Sequence, residues 1–321
     1  MRNQTSKLGF AALLVCATAA FAQGQQVPAP GALPFTLKPL GHDVWAAIAV
    51  PGSKAGSNSG FAIGDDGVSV IDTFQDAGAA RALLGEIRNI TKLPVKFVIN
   101  THYHIDHVTG NGVFAEAGAI IFAQRNVRDW IHTENLKFFG AAITPAQKAL
   151  VEGFVSPDAV YDDGVDLYLG SRRVKVRVYP GHTGGDSVVF IPDANVVFTG
   201  DLFWRHSLPN TIDASTAPLM KTLATLTAEN PSAQFVPGHG DVGSAQDVDA
   251  FRGYIGALRE AVSAAQAQGK TGDALVEAVV PALKEKYGDW GIFERFAPRN
   301  VRDTDAELRG TKRIPNPAEH N

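Results

Sequence analysis

Residues 102–107 read His102-Tyr103-His104-Ile105-Asp106-His107. In an extended backbone, alternate side chains project to the same side, so His102 and His104 can reach one ion. A turn directly after them aims Asp106 and His107 at another. Imidazole and carboxylate suit zinc, and also iron or manganese, and each must lose its proton to bind. The stretch is entered from an apolar, strand-like run over 95–99 followed by Asn100.

Three further candidates are placed in the same way. The run over 174–178 leads into Pro180-Gly181-His182, that over 196–199 into Gly200-Asp201, and that over 234–236 into Pro237-Gly238-His239. Side chains collected at the ends of several strands are what a rigid, preorganised site requires. A glycine beside each lets the backbone turn sharply next to a bound ion.

The flanking patterns set the fold class. Short apolar runs over 44–50, 59–63 and 68–71, separated by Gly, Ser, Asn and Asp, predict an antiparallel meander. Ala80, Leu83, Leu84 and Ile87 then make one apolar helix face. A helix is expected over 112–117, a strand over 119–123 and helical structure from Gln124. Thr144-Pro145-Ala146-Gln147 reads as a capping box with proline at the first helical position. The runs over 165–169 and 174–178 flank a turn at 170–173, with strands expected at 187–191 and 196–199. Helices are expected over 218–229, from Ser244 to a stop at Gly269, and finally over 273–285. Strands and helices interleaved in this order predict sheets sandwiched by helices.

The 321 residues are 45% hydrophobic and 19% charged, a balance that excludes disordered, collagenous and disulfide-rich classes. A net charge of -4 disfavours general nucleic-acid binding, which draws on counterion release by basic residues. Arg2 and Lys7 precede an apolar run over 8–22 that ends in Ala20-Phe21-Ala22, the pattern of a secretory signal peptide cleaved before Gln23. The run is shorter than the roughly 20 residues of a membrane-spanning helix. The expectation is therefore a secreted or periplasmic protein with no stable membrane anchor after cleavage. Cys16, the one cysteine, leaves with the signal, so a metal site must be built from histidine and carboxylate. The expected organisation is a signal peptide over 1–22, a flexible leader over 23–34, a catalytic domain over 35–290 and a C-terminal extension over 291–321.

With these residues in place, the sequence resembles the metallo-β-lactamase superfamily of hydrolases. The resemblance is carried by His102, His104, Asp106, His107, His182, Asp201 and His239, and by Val70-Ile71-Asp72-Thr73 near the start. It implies an αββα sandwich: two mixed sheets packed face to face, with helices on the outer faces. It implies two divalent metal ions, zinc foremost and iron or manganese next. His102, His104 and His182 would hold one, Asp106, His107 and His239 the second, and Asp201 would bridge them. The best-known clinical β-lactamases of the superfamily carry cysteine or serine at the bridging position. Glyoxalase II, lactonases and phosphodiesterases typically carry aspartate there, as this chain does. No residues in the C-terminal helices match a glutathione site, which points away from glyoxalase II.

The implied chemistry is hydrolysis of an electrophilic carbonyl by a metal-bound hydroxide, with Asp106 as the catalytic group that orients it and accepts its proton. A cyclic amide or ester, a β-lactam or lactone, is the first expectation. A thioester or phosphodiester is the alternative, and non-haem iron redox chemistry or metal binding without turnover are readings of another class. The partner is a small-molecule substrate, and the sequence offers no basis for an oligomeric state. Trp204, Arg205 and His206 follow Asp201 closely enough to be candidates for substrate binding, and the connection over 52–60 to border the cleft. Phe138 and Phe139 read as packing, and His42, His132 and His320 as solvated surface positions. The acidic pairs Asp65-Asp66 and Asp162-Asp163, each followed by glycine, read as turns.

Overall fold

The computed structural model describes residues 32–315. The expected signal over 1–22 with Cys16, the leader as far as residue 31, and His320 lie outside the described residues. Seven strands form the first sheet in chain order: β1 (Phe35–Gly41), β2 (Val44–Ala49), β3 (Ser59–Ile63), β4 (Val68–Ile71), β5 (Val95–Ile99), β6 (Ile120–Gln124) and β7 (Ala159–Tyr161). The pairs from β1 to β4 are antiparallel, as the meander pattern predicts, and those from β4 to β7 are parallel. The second sheet has five strands: β8 (Gly164–Leu169), β9 (Arg172–Val178), β10 (Ser187–Ile191), β11 (Val196–Trp204) and β12 (Gln234–His239). All its pairs are antiparallel except β11 with β12. Two mixed sheets flanked by helices make the expected αββα sandwich.

The period-2 alternation of the strands sorts side chains into three apolar layers. Val44, Ala46, Ala62, Ile71 and Ile99 of the first sheet meet Val174, Val176, Val189, Ile191 and Phe198 of the second in the central layer. The opposite faces of the same strands pack against helices. Phe61, Val68 and Val70 lie against helix α1 (Ala77–Ile90) through Leu83, Leu84 and Ile87, the apolar stripe read from the sequence. Burial contributes about 1.5 to 3 kcal/mol for each such side chain. Asp76 caps this helix by accepting from the amides of Gly78 and Ala79.

Three short helices follow: α2 (Ile105–Val108), α3 (Asn111–Glu116) and α4 (Arg125–Trp130). A 3-10 turn, Glu134–Phe139, then leads to α5 (Pro145–Glu152), whose Thr144/Gln147 capping box is formed. On the second sheet Val188, Phe190, Val197 and Phe235 face α6 (Thr216–Glu229), α7 (Ala245–Ala267), α8 (Gly272–Tyr287) and α9 (Phe293–Leu308). The Ser244/Asp247 box opens α7, and its apolar face of Val248, Phe251, Ile255, Leu258 and Val262 is buried as spaced.

Several expectations are corrected. Strand β1 and helix α9 were not anticipated, and α9 buries Phe293, Phe296, Ala297 and Val301 in the helical layer. His132 is not a solvated side chain: its two ring nitrogens meet the Val151 carbonyl and the Ser156 hydroxyl, both at 2.9 Å. Strands β11 and β12 run on through Asp201 and His239 instead of stopping before them. Their register shifts on either side of Gly200, whose φ of 50° absorbs the bend. Pro237 is tolerated because β12 is an edge strand. Among the described residues, no helix is long and apolar enough to cross a membrane.

Candidate metal centre

The seven side chains singled out in the sequence converge where the two sheets meet. His102 and His104 sit on the extended link after β5, and His104 caps α2, which carries Asp106 and His107. His182 lies on the loop between β9 and β10, Asp201 within β11, and His239 at the end of β12. The approach of the last two depends on Gly238, where a Cβ would overlap the Asp201 carboxylate.

They form two groups, each with ligand atoms within 4.8 Å of one another: His102, His104, His182 and Asp201 in one, Asp106, His107 and His239 in the other. In the first, His104 Nδ1 lies 3.0 Å from His182 Nε2. Asp201 Oδ2 lies 3.3 Å from His182 Nε2 and 3.8 Å from His102 Nε2. In the second, Asp106 Oδ2 lies 3.3 Å from His239 Nε2 and 3.8 Å from His107 Nε2. Asp201 turns its other oxygen to this second group, with Oδ1 at 3.1 Å from His107 Nε2 and 3.4 Å from His239 Nε2. One carboxylate thus faces both groups.

Buried polar atoms are normally satisfied, and exceptions call for an explanation. His102 Nε2, His107 Nε2, His239 Nε2 and Asp201 Oδ1 are buried without a hydrogen-bond partner, and all four point into the two groups. Imidazole nitrogens and carboxylate oxygens converging in this way fit divalent cations.

Outer partners fix the inner rings. Asp72 Oδ2 lies 2.8 Å from His107 Nδ1, and the same carboxylate accepts from the Thr101 amide and hydroxyl, both at 2.7 Å. The Thr101 hydroxyl is also 3.1 Å from His102 Nδ1. Asp213 Oδ2 lies 2.9 Å from His104 Nε2 and accepts from the Tyr103 hydroxyl at 2.7 Å, while its Oδ1 accepts from Lys137 Nζ at 2.7 Å. Asp186 accepts from the His182 amide at 2.7 Å. Such partners hold a metal-binding ring in one orientation and one tautomer. Asn58 plays the equivalent part for the backbone. Its side-chain amide donates to the carbonyls of Pro237 and Gly240, its amide N–H donates to the Gly238 carbonyl, and Ser57 donates to the carbonyl of Asp106. The connection over 52–60 therefore does reach the site, as a brace.

Charge and burial compete within the cluster. Burial pushes the Asp106 carboxyl up, but the His107 and His239 imidazoles outweigh it and hold the group down at about 2. Burial opposes protonation of His239, yet Asp201 and Asp106 raise it to about 9, and His107 is raised for the same reason, by Asp201 and Asp72. At two imidazoles of the first group burial dominates: it lowers His182 to about 3 and, with His107 and His104 beside it, takes His102 well below the usual imidazole range. Burial also lifts Asp186 to about 7 against the hydrogen bonds from Thr183 and His182.

The candidates for substrate contact are placed less favourably. Trp204 is buried and stacks on His239, with ring centroids 3.8 Å apart and planes at 26°, so it supports the imidazole from behind. Arg205 gives its guanidinium to Asp247 at 3.1 Å and to the Val242 carbonyl at 2.9 Å. His206 is exposed and its ring lies 5.7 Å from that of Trp290. Phe139 packs with Ile105 and Leu136 as expected, whereas Phe138 stands edge-on to His104 with centroids 4.9 Å apart. Sequence reasoning did not single out Asp72, Asp186, Asp213, Asn58 or Lys137 as site residues. Asp72 had a usable signal, since in the sequence it directly follows the apolar run over 68–71, much as Asp201 follows the run over 196–199 after one glycine. Asp213 lies in the loop between β11 and α6 and had none.

Comparison with known proteins agrees with this geometry. A family model described as metallo-beta-lactamase superfamily matches residues 53–248, more than half of the chain. A hydroxyacylglutathione hydrolase of Brucella ovis is 31% identical over 144 residues, covering 44% of this chain and 47% of that protein. A linear primary-alkylsulfatase of a Pseudomonas strain is 24% identical over 174 residues, covering 45% of this chain and 33% of that protein. The chain thus spans half or less of the curated relatives it matches. A solved metallo-beta-lactamase from Pontibacter korlensis superposes with a TM-score of 0.58 at 21% identity, over 69% of this chain and 99% of that one, a likeness of fold.

Proposed function

We propose that this chain, which belongs to the metallo-beta-lactamase superfamily, is an exported hydrolase that binds two divalent ions, zinc foremost, and opens a cyclic amide or ester of the β-lactam or lactone kind. The observation that carries the reading is Asp201, a single buried carboxylate with one oxygen toward each group of imidazoles. His102, His104 and His182 would hold one ion and Asp106, His107 and His239 the other, with Asp201 between them. Bound divalent ions supply Lewis-acid polarisation of a carbonyl and a lowered pKa for water, toward about 7.

The side chains do the rest. Asp106 and His239 are the more accessible members, with side chains 21% and 17% exposed against 3% or less for His102, His104, His107, His182 and Asp201. Substrate therefore approaches over them. Asp106 would orient an attacking water and take its proton; in the metal-free protein His107 and His239 already hold it ionised. Asp72 and Asp213 keep His107 and His104 fixed as charge moves. Trp204 blocks the rear of His239 and keeps its Nε2 turned inward.

The test is metal quantification on purified protein, coupled to a panel of β-lactam, lactone, thioester, phosphodiester and alkyl sulfate substrates. Turnover of a β-lactam or lactone, lost in His102→Ala and Asp201→Ala together with bound metal, is the expected result. Turnover restricted to thioesters would replace it with a second reading, favoured by the likeness to hydroxyacylglutathione hydrolase. Metal uptake with no turnover on any member would leave a non-catalytic binding protein. For export, the expected product has an N-terminus near Gln23, and a secreted fraction that retains Met1 would refute cleavage.

A further inference from the structure

His104 is tied to the C-terminal end of the described chain through a run of charged side chains. Asp213, which meets its Nε2, receives Lys137 Nζ, and the same ammonium donates to Glu134 Oε2 at 3.1 Å. Glu134 is buried on the 3-10 turn and accepts both terminal nitrogens of Arg313, at 3.0 and 3.1 Å. One residue earlier, Lys312 Nζ donates to the carbonyls of Thr211, at 2.6 Å, and Ala214. Those carbonyls lie on either side of Asp213 in the chain. Directly after that loop, at the start of α6, Glu307 of α9 accepts from the Thr216 amide at 2.9 Å.

Asp213 sits in a loop without helix or strand of its own, over 205–215. Its carboxylate can orient His104 only if that loop is held still, and an outer partner's value to a metal site lies in such orientation. The loop is fixed by a residue more than ninety positions later, through the carbonyls on either side of Asp213.

We propose that residues 311–315 act as a clasp on the metal centre, with Lys312, Arg313 and Lys137 as positioning residues that hold Asp213, and through it His104, in place for the first group. This rests on the reading of His104 as a metal-binding residue. Lys312 immobilises the turn that carries Asp213. Arg313 anchors Glu134, which together with Asp213 fixes the Lys137 ammonium between two carboxylates.

The experiment is equilibrium titration with Co2+, followed by absorbance, in two full-length backgrounds. His239→Ala leaves the His102, His104 and His182 set intact, and His182→Ala leaves the Asp106, His107 and His239 set intact. Adding Arg313→Ala is expected to weaken Co2+ binding about 3- to 10-fold in the first background and not in the second, less than the roughly 10- to 100-fold that loss of a direct outer partner costs. Arg313 has a side chain 60% exposed, so its truncation is compatible with folding, and melting temperature and circular dichroism verify that. Lys312→Ala is the second variant, with the same expected preference. Arg313→Lys should recover part of the loss, since an ammonium still pairs with Glu134 but lacks the two-pronged fit. Equal weakening in both backgrounds, or none in either, overturns the clasp. Failure of both parent backgrounds to bind Co2+ would overturn the metal reading itself, and the clasp with it.

Discussion

The two groups of imidazoles and carboxylates differ in how they are enclosed. The first is buried throughout and braced by Asp213, Thr101 and the Asp186 contact to the His182 backbone. The second has its His107 braced by Asp72 but leaves Asp106 and His239 partly open, with a stacked indole in place of a carboxylate behind His239. A closed, braced set suits retention of an ion. An open one suits exchange of water and substrate, and the two needs are met at neighbouring places by different outer shells.

The largest effect should come from the residue that belongs to both. Asp201→Ala is expected to deplete metal from both groups and to lower turnover by more than the roughly 100-fold cost of losing an outer partner, as read by metal analysis and kcat/KM. If only one group lost its ion, the comparison would have to be redrawn with separate centres. Next come the braces themselves. Asp213→Asn should weaken the first group and Asp72→Asn chiefly the second, each about 10- to 100-fold in metal affinity, with a smaller effect of Asp72→Asn on the first through Thr101 and His102, in titrations that resolve two steps.

Protonation offers a third handle. In the metal-free protein His239 is held at about 9, so near pH 7 it carries a proton that an incoming cation must expel. His182, at about 3, carries none. Affinity at the second group should therefore rise with pH, roughly tenfold per unit for each proton expelled, until both His239, at about 9, and the likewise raised His107 have lost theirs. The first group should be flat over the same range. The smallest effect is expected from Trp204→Phe, which retains a stacked ring behind His239. A decrease in kcat/KM of less than about tenfold, with unfolding free energy lowered by no more than about 1 to 3 kcal/mol of lost packing, would sharpen the view that the indole supports the imidazole. A complete loss of turnover at unchanged metal content would mean that Trp204 touches substrate.

The inner residues were legible because their chemistry is costly to place by chance: histidine and aspartate at the ends of apolar strands, beside glycine. The central layer and the face of α1 were legible for a related reason, since burial imposes period 2 or 3.6 on long runs. The outer carboxylates were not. Aspartate is common in turns, and nothing near Asp213 in the sequence hints that Tyr103, His104 and Lys137 approach it from between 76 and 110 positions away. Strand β1 carries a proline and adjoins a segment read as leader, and α9 carries Pro298 within a highly charged run, so both hid behind local signals that point away from regular structure. The strand ends moved for a physical reason as well: Gly200 lets β11 bend and continue where a sequence pattern suggests a stop.

Each group draws members from both halves of the sandwich, with His102, His104, Asp106 and His107 supplied by the first half and His182, Asp201 and His239 by the second. Neither half on its own contains a complete set, so capture of a cation is coupled to the docking of one half on the other. Ions bound there would act as rivets across the sandwich. They would slow its opening, and refolding in the presence of a chelator should yield a looser assembly than refolding in zinc.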